Sequence, residues 1–337
     1  MKYSVTSWFC IIILFGCVHK KTEFPSHFPP PTDSIIQINS KKAELGKLLF
    51  FDPALSKNNK ISCASCHQPS LAFADSLPFS MGASGKRTFR NTPSLTNLSW
   101  RTSFFLDGGV PSLEQQAIAP MVSHEEMDES FSCIIEKLNS KQGYKDKFKK
   151  VFGSDSITGI KIIYALAEYE RTIVSANSAY DNYLAGKQQL TPLQKKGLSI
   201  FERKCALCHA GVLFTDNNFH NTGLDSTFPS MENVEDPMLG RARITRKATD
   251  IGKYRTPSLR NLTLTAPYMH DGRFSTIQEV LNHYSVGVIK SSYTDSLILN
   301  NGTTGITLTE NEKDALISFL QTLTDTTFIE TGIFNKK

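Results

Sequence analysis

Long apolar runs are absent after the first seventeen residues, so no later segment can cross a bilayer as a helix. Tryptophan is scarce, with 2 in 337 residues, and charge of either sign is not gathered into runs. The 37 basic and 32 acidic residues leave a net charge of +5. Without a concentrated basic patch, nucleic-acid binding is not expected. Strong compositional bias is also missing: 40% hydrophobic and 20% charged residues exclude collagen and intrinsic disorder. No convincing run of alternating strand residues occurs. What remains is an ordinary globular composition whose length, at about 150 residues per domain, suggests two domains. Each is large enough to bury a core without disulfide staples.

The first residues read as an export signal. Lys2 precedes the apolar run Trp8 to Phe15, too short to span a membrane and of the right length for a signal peptide. Leu14-Phe15-Gly16-Cys17 resembles a bacterial lipobox, which would make Cys17 the acylated first residue of the mature chain. Ordinary cleavage nearby, with Cys17 unmodified, is the alternative. Residues 18–36 carry Pro25, Pro29, Pro30 and Pro31 and read as an extended tether. The folded body is therefore expected outside the cytoplasm, on the periplasmic side, held near a membrane by a lipid on Cys17.

The remainder repeats itself. Thr92-Pro93-Ser94-Leu95-x-Asn97-Leu98 returns as Thr256-Pro257-Ser258-Leu259-x-Asn261-Leu262, and the same offset of 164 carries Asp107-Gly108 onto Asp271-Gly272. Upstream, Gly46-x-x-x-Phe50 matches Gly197-x-x-x-Phe201. Cys63-x-x-Cys66-His67 matches Cys205-x-x-Cys208-His209 at an offset of 142, so the second half holds 22 extra residues between His209 and Thr256. The period is too long for a solenoid and implies two related domains. The expected division is residues 37–184 and 185–337, with the boundary in the polar stretch Asn182 to Leu190. Both halves read as helical. Ile162, Leu166, Tyr169 and Ile173 form one helical stripe. Thr191-Pro192-Leu193-Gln194 and Thr309-x-x-Glu312 look like capping boxes, the second opening a helix that buries Leu316, Phe319, Leu320 and Leu323. The expected fold is all-α, in two related domains.

The duplicated Cys-x-x-Cys-His motif carries the chemistry. In c-type haem attachment two cysteines form thioethers and the adjacent histidine ligates the iron, all within five residues. Zinc would need a further ligand pair at matched spacing. A redox dithiol would need neither the histidine nor the duplication. Export favours haem, which is attached outside the cytoplasm. Two covalent haems c are therefore expected, on Cys63, Cys66 and His67 and on Cys205, Cys208 and His209.

In sequence order, Leu45-Gly46-Lys47-x-Leu49-Phe50-x-Asp52, Ile61-Ser62-Cys63-x-x-Cys66-His67, Arg90-Asn91-Thr92-Pro93-Ser94-Leu95 and Tyr268-Met269-His270-Asp271-Gly272-Arg273-Phe274 resemble the bacterial di-haem cytochrome c peroxidase and MauG family. The resemblance runs from about Ala43 to Leu323. It implies a peroxidatic N-terminal haem that reduces hydrogen peroxide and a C-terminal haem that takes electrons from a small soluble donor such as cytochrome c. Gln116 and Glu126 match the family's polar pair over the peroxidatic haem. Asn91, Thr265 and Pro267 match an inter-domain calcium site, where one side-chain oxygen and two backbone carbonyls suit a hard cation. The resemblance leaves room for a homodimer.

Three departures from the peroxidase pattern stand out. Ala83 occupies the place of a histidine that blocks the resting peroxidatic iron in many members. Leu106 replaces a tryptophan between the haems, and Trp100 is nearby but out of register. Tyr284 stands where peroxidases carry a methionine on the second iron, as in MauG-type enzymes, with Met269 as the rival ligand. The other histidines, including His124, are read as surface or hydrogen-bonding residues. A MauG-like oxidase that modifies a protein and a plain electron-transfer cytochrome are the competing readings.

Overall fold

The computed structural model describes residues 24–32, 37–300 and 303–327; the expected signal peptide and Cys17 lie outside the described residues. Helices carry the frame. They are α1 (Ser40–Phe50), α2 (Phe131–Asn139), α3 (Gln142–Phe152), α4 (Gly159–Arg171), α5 (Ala179–Leu184), α6 (Pro192–Lys204) and α7 (Glu310–Gln321), joined by shorter helical turns. Among the described residues sheet is confined to two antiparallel pairs of two residues each, Phe219–His220 with Tyr254–Arg255 and Leu299–Asn300 with Thr303–Thr304. Both expected capping boxes form: Thr191 and Gln194 start α6, and Thr309 and Glu312 start α7. Each satisfies two backbone N–H groups that a helix start leaves unpaired.

Each half is built on one crossed helix pair, and the repeated glycine explains the crossing. A Cβ on Gly46 of α1 would lie 1.8 Å from the carbonyl oxygen of Ala165 in α4. In the second half a Cβ on Gly197 of α6 would lie 1.9 Å from that of Ala315 in α7. Only glycine permits such an approach. The first core gathers Leu49, Phe50, Phe73, Leu113, Met121, Ile134 and the expected stripe Ile162, Leu166, Tyr169 and Ile173. The second gathers Ile200, Phe201, Phe214, Leu316, Phe319, Leu320 and Leu323.

The division between these cores falls earlier than the polar stretch 182–190 suggests. Ile173 belongs to the first core, whereas Tyr180 on α5 packs edge-on against Phe214 and Phe319 of the second. Asn182, Tyr183 and Leu184 continue a helix whose Tyr180 is already committed to the second half. The seam is hydrogen-bonded by the repeated asparagines. Asn97 exchanges two bonds with the backbone of Ser175, at 3.0 and 2.9 Å. Asn261 donates to Ser175 Oγ at 2.9 Å and accepts from the Asp325 N–H at 2.8 Å.

The extra residues of the second half form a small cluster around Leu239, Ala242 and Ile251. They reach across to the first half, where Arg241 donates to the carbonyls of Asp107 and Gly108 at 2.8 and 3.0 Å. Arg90 and Arg243 both pair with the buried Asp107 carboxylate.

The proline-rich segment is not a free tether over residues 24–32. Phe24 and Phe28 meet Trp100 edge-on, with ring centroids 5.3 and 5.1 Å apart. Trp100 Nε1 donates to the Pro29 carbonyl at 2.7 Å, and Thr32 Oγ1 donates to the carbonyls of Ser99 and Arg101. The segment turns at residues 25–28, where the Phe28 N–H donates to the Pro25 carbonyl at 3.0 Å, and two phenylalanines four residues apart give it something to bury.

Candidate active site

Each Cys-x-x-Cys-His motif opens onto its own cavity. The first, of about 610 Å³, is lined by Cys63, Cys66 and His67 together with Gln116 and Glu126. The second, of about 280 Å³, is lined by Cys205, Cys208 and His209 together with Met269 and Tyr284. Leu106, Arg101 and the segment Asn91–Pro93 line both, so one wall is shared.

The two histidines are held alike. His67 Nδ1 lies 2.9 Å from the carbonyl oxygen of Phe73, and His209 Nδ1 lies 3.1 Å from that of Phe214. A carbonyl can only accept, so each Nδ1 carries the proton and each Nε2 keeps a free lone pair, the state a metal ligand requires. Burial pushes the His67 imidazole down to about 4 and lowers His209 as well, which keeps both rings neutral. Phe73 and Phe214 both adopt left-handed backbone, at φ 60° and 54°, which is unusual for bulky residues. The repeated serine braces each loop: Ser94 Oγ donates to the Ala72 carbonyl and Ser258 Oγ to that of Leu213, both at 2.6 Å. The Thr-Pro-Ser-Leu repeat therefore serves the histidine's orientation.

The cysteines are unsuited to dithiol chemistry as free thiols. Burial raises Cys66 to about 11 and Cys205 to about 12, and Cys63 higher still, whereas a reactive thiol needs a lowered value. Among the described residues the only compact group of metal-ligating side chains is Cys208, Asp216 and His220, which uses one cysteine of the second motif and lacks a fourth ligand for zinc. A haem c fits both cavities better. Each offers two thiols, a neutral imidazole with a free Nε2, and apolar walls.

In the first cavity, burial and then the neighbouring Glu125 charge push Glu126 up to about 7. Gln116 Oε1 is buried there without a protein partner, an acceptor facing the space where a ligand would sit. Ala83 is tied to the same loop, its N–H donating to the Glu126 carbonyl at 2.6 Å. His124 is exposed and pairs with Asp128 at 2.9 Å. In the second cavity Tyr284 sits on an irregular turn, His283–Gly287, and burial raises its phenol well above the ordinary range. Met269 is in left-handed backbone at φ 74°. Asn91, Thr265 and Pro267 share this cavity's wall. The Asn91 amide nitrogen donates to the carbonyls of Leu77 and Pro78, leaving Oδ1 for a cation. The out-of-register Trp100 belongs to the strap contact and not to the wall between the cavities.

A chain with two such cavities on a repeated helical frame is of the multi-haem cytochrome c class. The family model for di-haem cytochrome c peroxidase matches residues 40–189. The chain is 35% identical over 305 residues to the methylamine utilization protein MauG of Methylorubrum extorquens, covering 89% of this chain and 82% of that one. It is 32% identical over 296 residues to the cytochrome c551 peroxidase of Nitrosomonas europaea, covering 87% and 83%. A crystal structure of a MauG-like protein associated with microbial copper homeostasis superposes with a TM-score of 0.83 at 33% identity, covering 92% of this chain and 97% of that one. The chain belongs to the di-haem cytochrome c peroxidase family.

Proposed function

We propose that the protein is an exported, lipid-anchored di-haem peroxidase that reduces hydrogen peroxide to two waters, using two protons and two electrons from a small cytochrome c. The observation that carries this reading is the joint placement of Glu126 and Gln116 in the cavity of the first Cys-x-x-Cys-His motif. A haem c held by Cys63, Cys66 and His67 would supply the redox centre for O–O bond cleavage. The chain's own task is the proton. Glu126, near neutrality in its resting affinity, accepts the proton of one peroxide oxygen and returns it to the leaving oxygen. Gln116 Oε1 accepts a hydrogen bond from peroxide or water and orients it. Cys205, Cys208 and His209 would hold the second haem, with Tyr284 in the same cavity as its candidate further ligand, and the N-terminal half would be the peroxidatic domain. Asn91 Oδ1 and the carbonyls of Thr265 and Pro267 suit one calcium ion between the halves.

Holoprotein should consume hydrogen peroxide with reduced cytochrome c as donor, and its denatured mass should exceed that of the mature chain by two haems. A relay cytochrome would exchange electrons and ignore peroxide. The second reading, an oxidase that modifies a protein, is favoured by Tyr284, the MauG-type residue. It predicts that peroxide is spent on a partner protein with little turnover on cytochrome c.

Tyr284 gives its own test. A phenolate is a hard anion that favours ferric iron, whereas a thioether favours ferrous iron. Tyr284→Phe should therefore change the spectrum of the second haem and raise its potential, while Met269→Leu leaves both unchanged. The reverse pattern assigns the ligand to Met269.

Ala83 offers no side-chain ligand at the first haem. The oxidised enzyme should react with peroxide without prior reduction of the second haem. Two wholly low-spin haems in the oxidised state would contradict this and point to His124.

A further inference from the structure

The strap at residues 24–32 crosses the seam between the halves. Phe28 is buried among Trp100 of the first half, Leu213 of the second and the linker residues Val174 and Ala176. His27 Nε2 lies 3.0 Å from Asp181 Oδ1. That carboxylate also takes both Nη atoms of Arg260, whose guanidinium stacks over Phe28 at 4.6 Å. Aromatic packing, an ion-pair contact and backbone hydrogen bonds thus fix one short segment to both halves.

We infer that this docked strap turns the Trp100 face of the body toward the bilayer. The inference rests on the lipoprotein reading of Cys17. From Cys17 to Phe24 there are seven residues, which span at most about 25 Å when fully extended. A tether free as far as α1 would add residues through Asn39 and reach about 75 Å, enough for the body to tumble in any orientation. Docking at Phe24 removes that freedom. The covalent lipid and the strap then hold the seam face within one short chain length of the surface. Lys20 and Lys21 lie in the remaining span, where anionic head groups attract them. The partner is the membrane surface itself.

The test uses full-length, lipidated holoprotein on phosphatidylethanolamine–phosphatidylglycerol vesicles whose head groups carry an acceptor dye. A donor dye goes either on Thr102→Cys, an exposed site two residues from Trp100, in a Cys133→Ser background, or on the native exposed Cys133 of α2. Energy transfer should be severalfold greater from position 102 than from Cys133. In a Phe24→Ser/Phe28→Ser double variant that retains both haems, the two positions should converge. Equal transfer from both positions in the parent, with diacyl mass present on Cys17, overturns the orientation alone. Failure to bind vesicles, with no lipid mass on Cys17, overturns the lipoprotein reading and this inference with it. The parent comparison decides the matter even where the double variant fails to fold.

Discussion

Replacing Glu126 by glutamine should lower peroxide turnover by about 10²–10⁴-fold, the usual cost of losing a positioned acid–base group. Glutamine keeps the size and hydrogen-bonding capacity of the side chain and removes only the proton-accepting carboxylate. The backbone is over-determined at this point. The Glu126 N–H donates to the Ser123 carbonyl at 3.1 Å, and the Ala83 N–H donates to the Glu126 carbonyl. A Cβ on Gly82 would fall 2.2 Å from the Glu125 carbonyl oxygen, so the two segments are in direct contact. The variant should therefore retain both haems and normal reduction by the electron donor. The pH profile gives a second signature. Burial, then the Glu125 charge, raises the carboxyl to about 7, and the proton acceptor is the ionised form. Turnover in the parent should rise as pH increases through about 7, and the glutamine variant should lose that limb. Turnover within about twofold of the parent, with an unchanged profile, would return Glu126 to the status of an ordinary surface charge.

Much of this was legible in the sequence because the chain says everything twice. The paired Cys-x-x-Cys-His motifs marked the two cavities. The paired Thr-Pro-Ser-Leu-x-Asn motifs marked a shared architecture, although their purpose, bracing a histidine-bearing loop through Ser94 and Ser258 and tying the seam through Asn97 and Asn261, needed coordinates. Capping boxes at Thr191 and Thr309 worked because they are local chemistry between residues three apart. The strap was misread for the opposite reason. Proline content predicts an extended backbone, whereas residues 25–28 make a turn, and it says nothing about where that backbone lies. The signal was present in Phe24 and Phe28 beside an otherwise unexplained Trp100, yet their contact spans some seventy residues of sequence. The division between the two cores was hidden in a similar way. The polar stretch from Asn182 to Leu190 begins on a helix whose Tyr180 is already packed in the second core. Arg260 was invisible: it occupies the variable position inside the second Thr-Pro-Ser-Leu-x-Asn motif, and its partner Asp181 lies 79 residues away.

That ion pair should also carry one of the largest stability effects in the molecule. The Arg260 side chain is 0% exposed and Asp181 4%, and they form two bonds of 2.9 and 2.7 Å. Arg260 Nε adds a third bond to the Val212 carbonyl at 2.8 Å. Arg260→Ala strands a buried carboxylate, which costs about 3–5 kcal/mol. On a domain stability of about 5–15 kcal/mol that loss is severe. The sign of its pH dependence is fixed by Asp181. Burial alone would raise its affinity for a proton, but the bonds to Arg260 and the adjacent positive charge overcome this and bring it down to about 2. In the parent, the pair therefore contributes fully above about pH 4 and is lost as pH falls toward 2. In Arg260→Ala only the two hydrogen bonds from Ser178 and the His27 contact still oppose burial, so Asp181 takes up a proton at higher pH than in the parent and the penalty shrinks on acidification. Denaturant unfolding at pH 7 and pH 4 should thus show a larger deficit at pH 7. Arg260→Met combined with Asp181→Asn should recover part of the loss, since neither then leaves a buried charge. A deficit below about 1 kcal/mol at both pH values, against the 3–5 kcal/mol expected for a broken buried pair, would mean that water reaches Asp181 despite the strap.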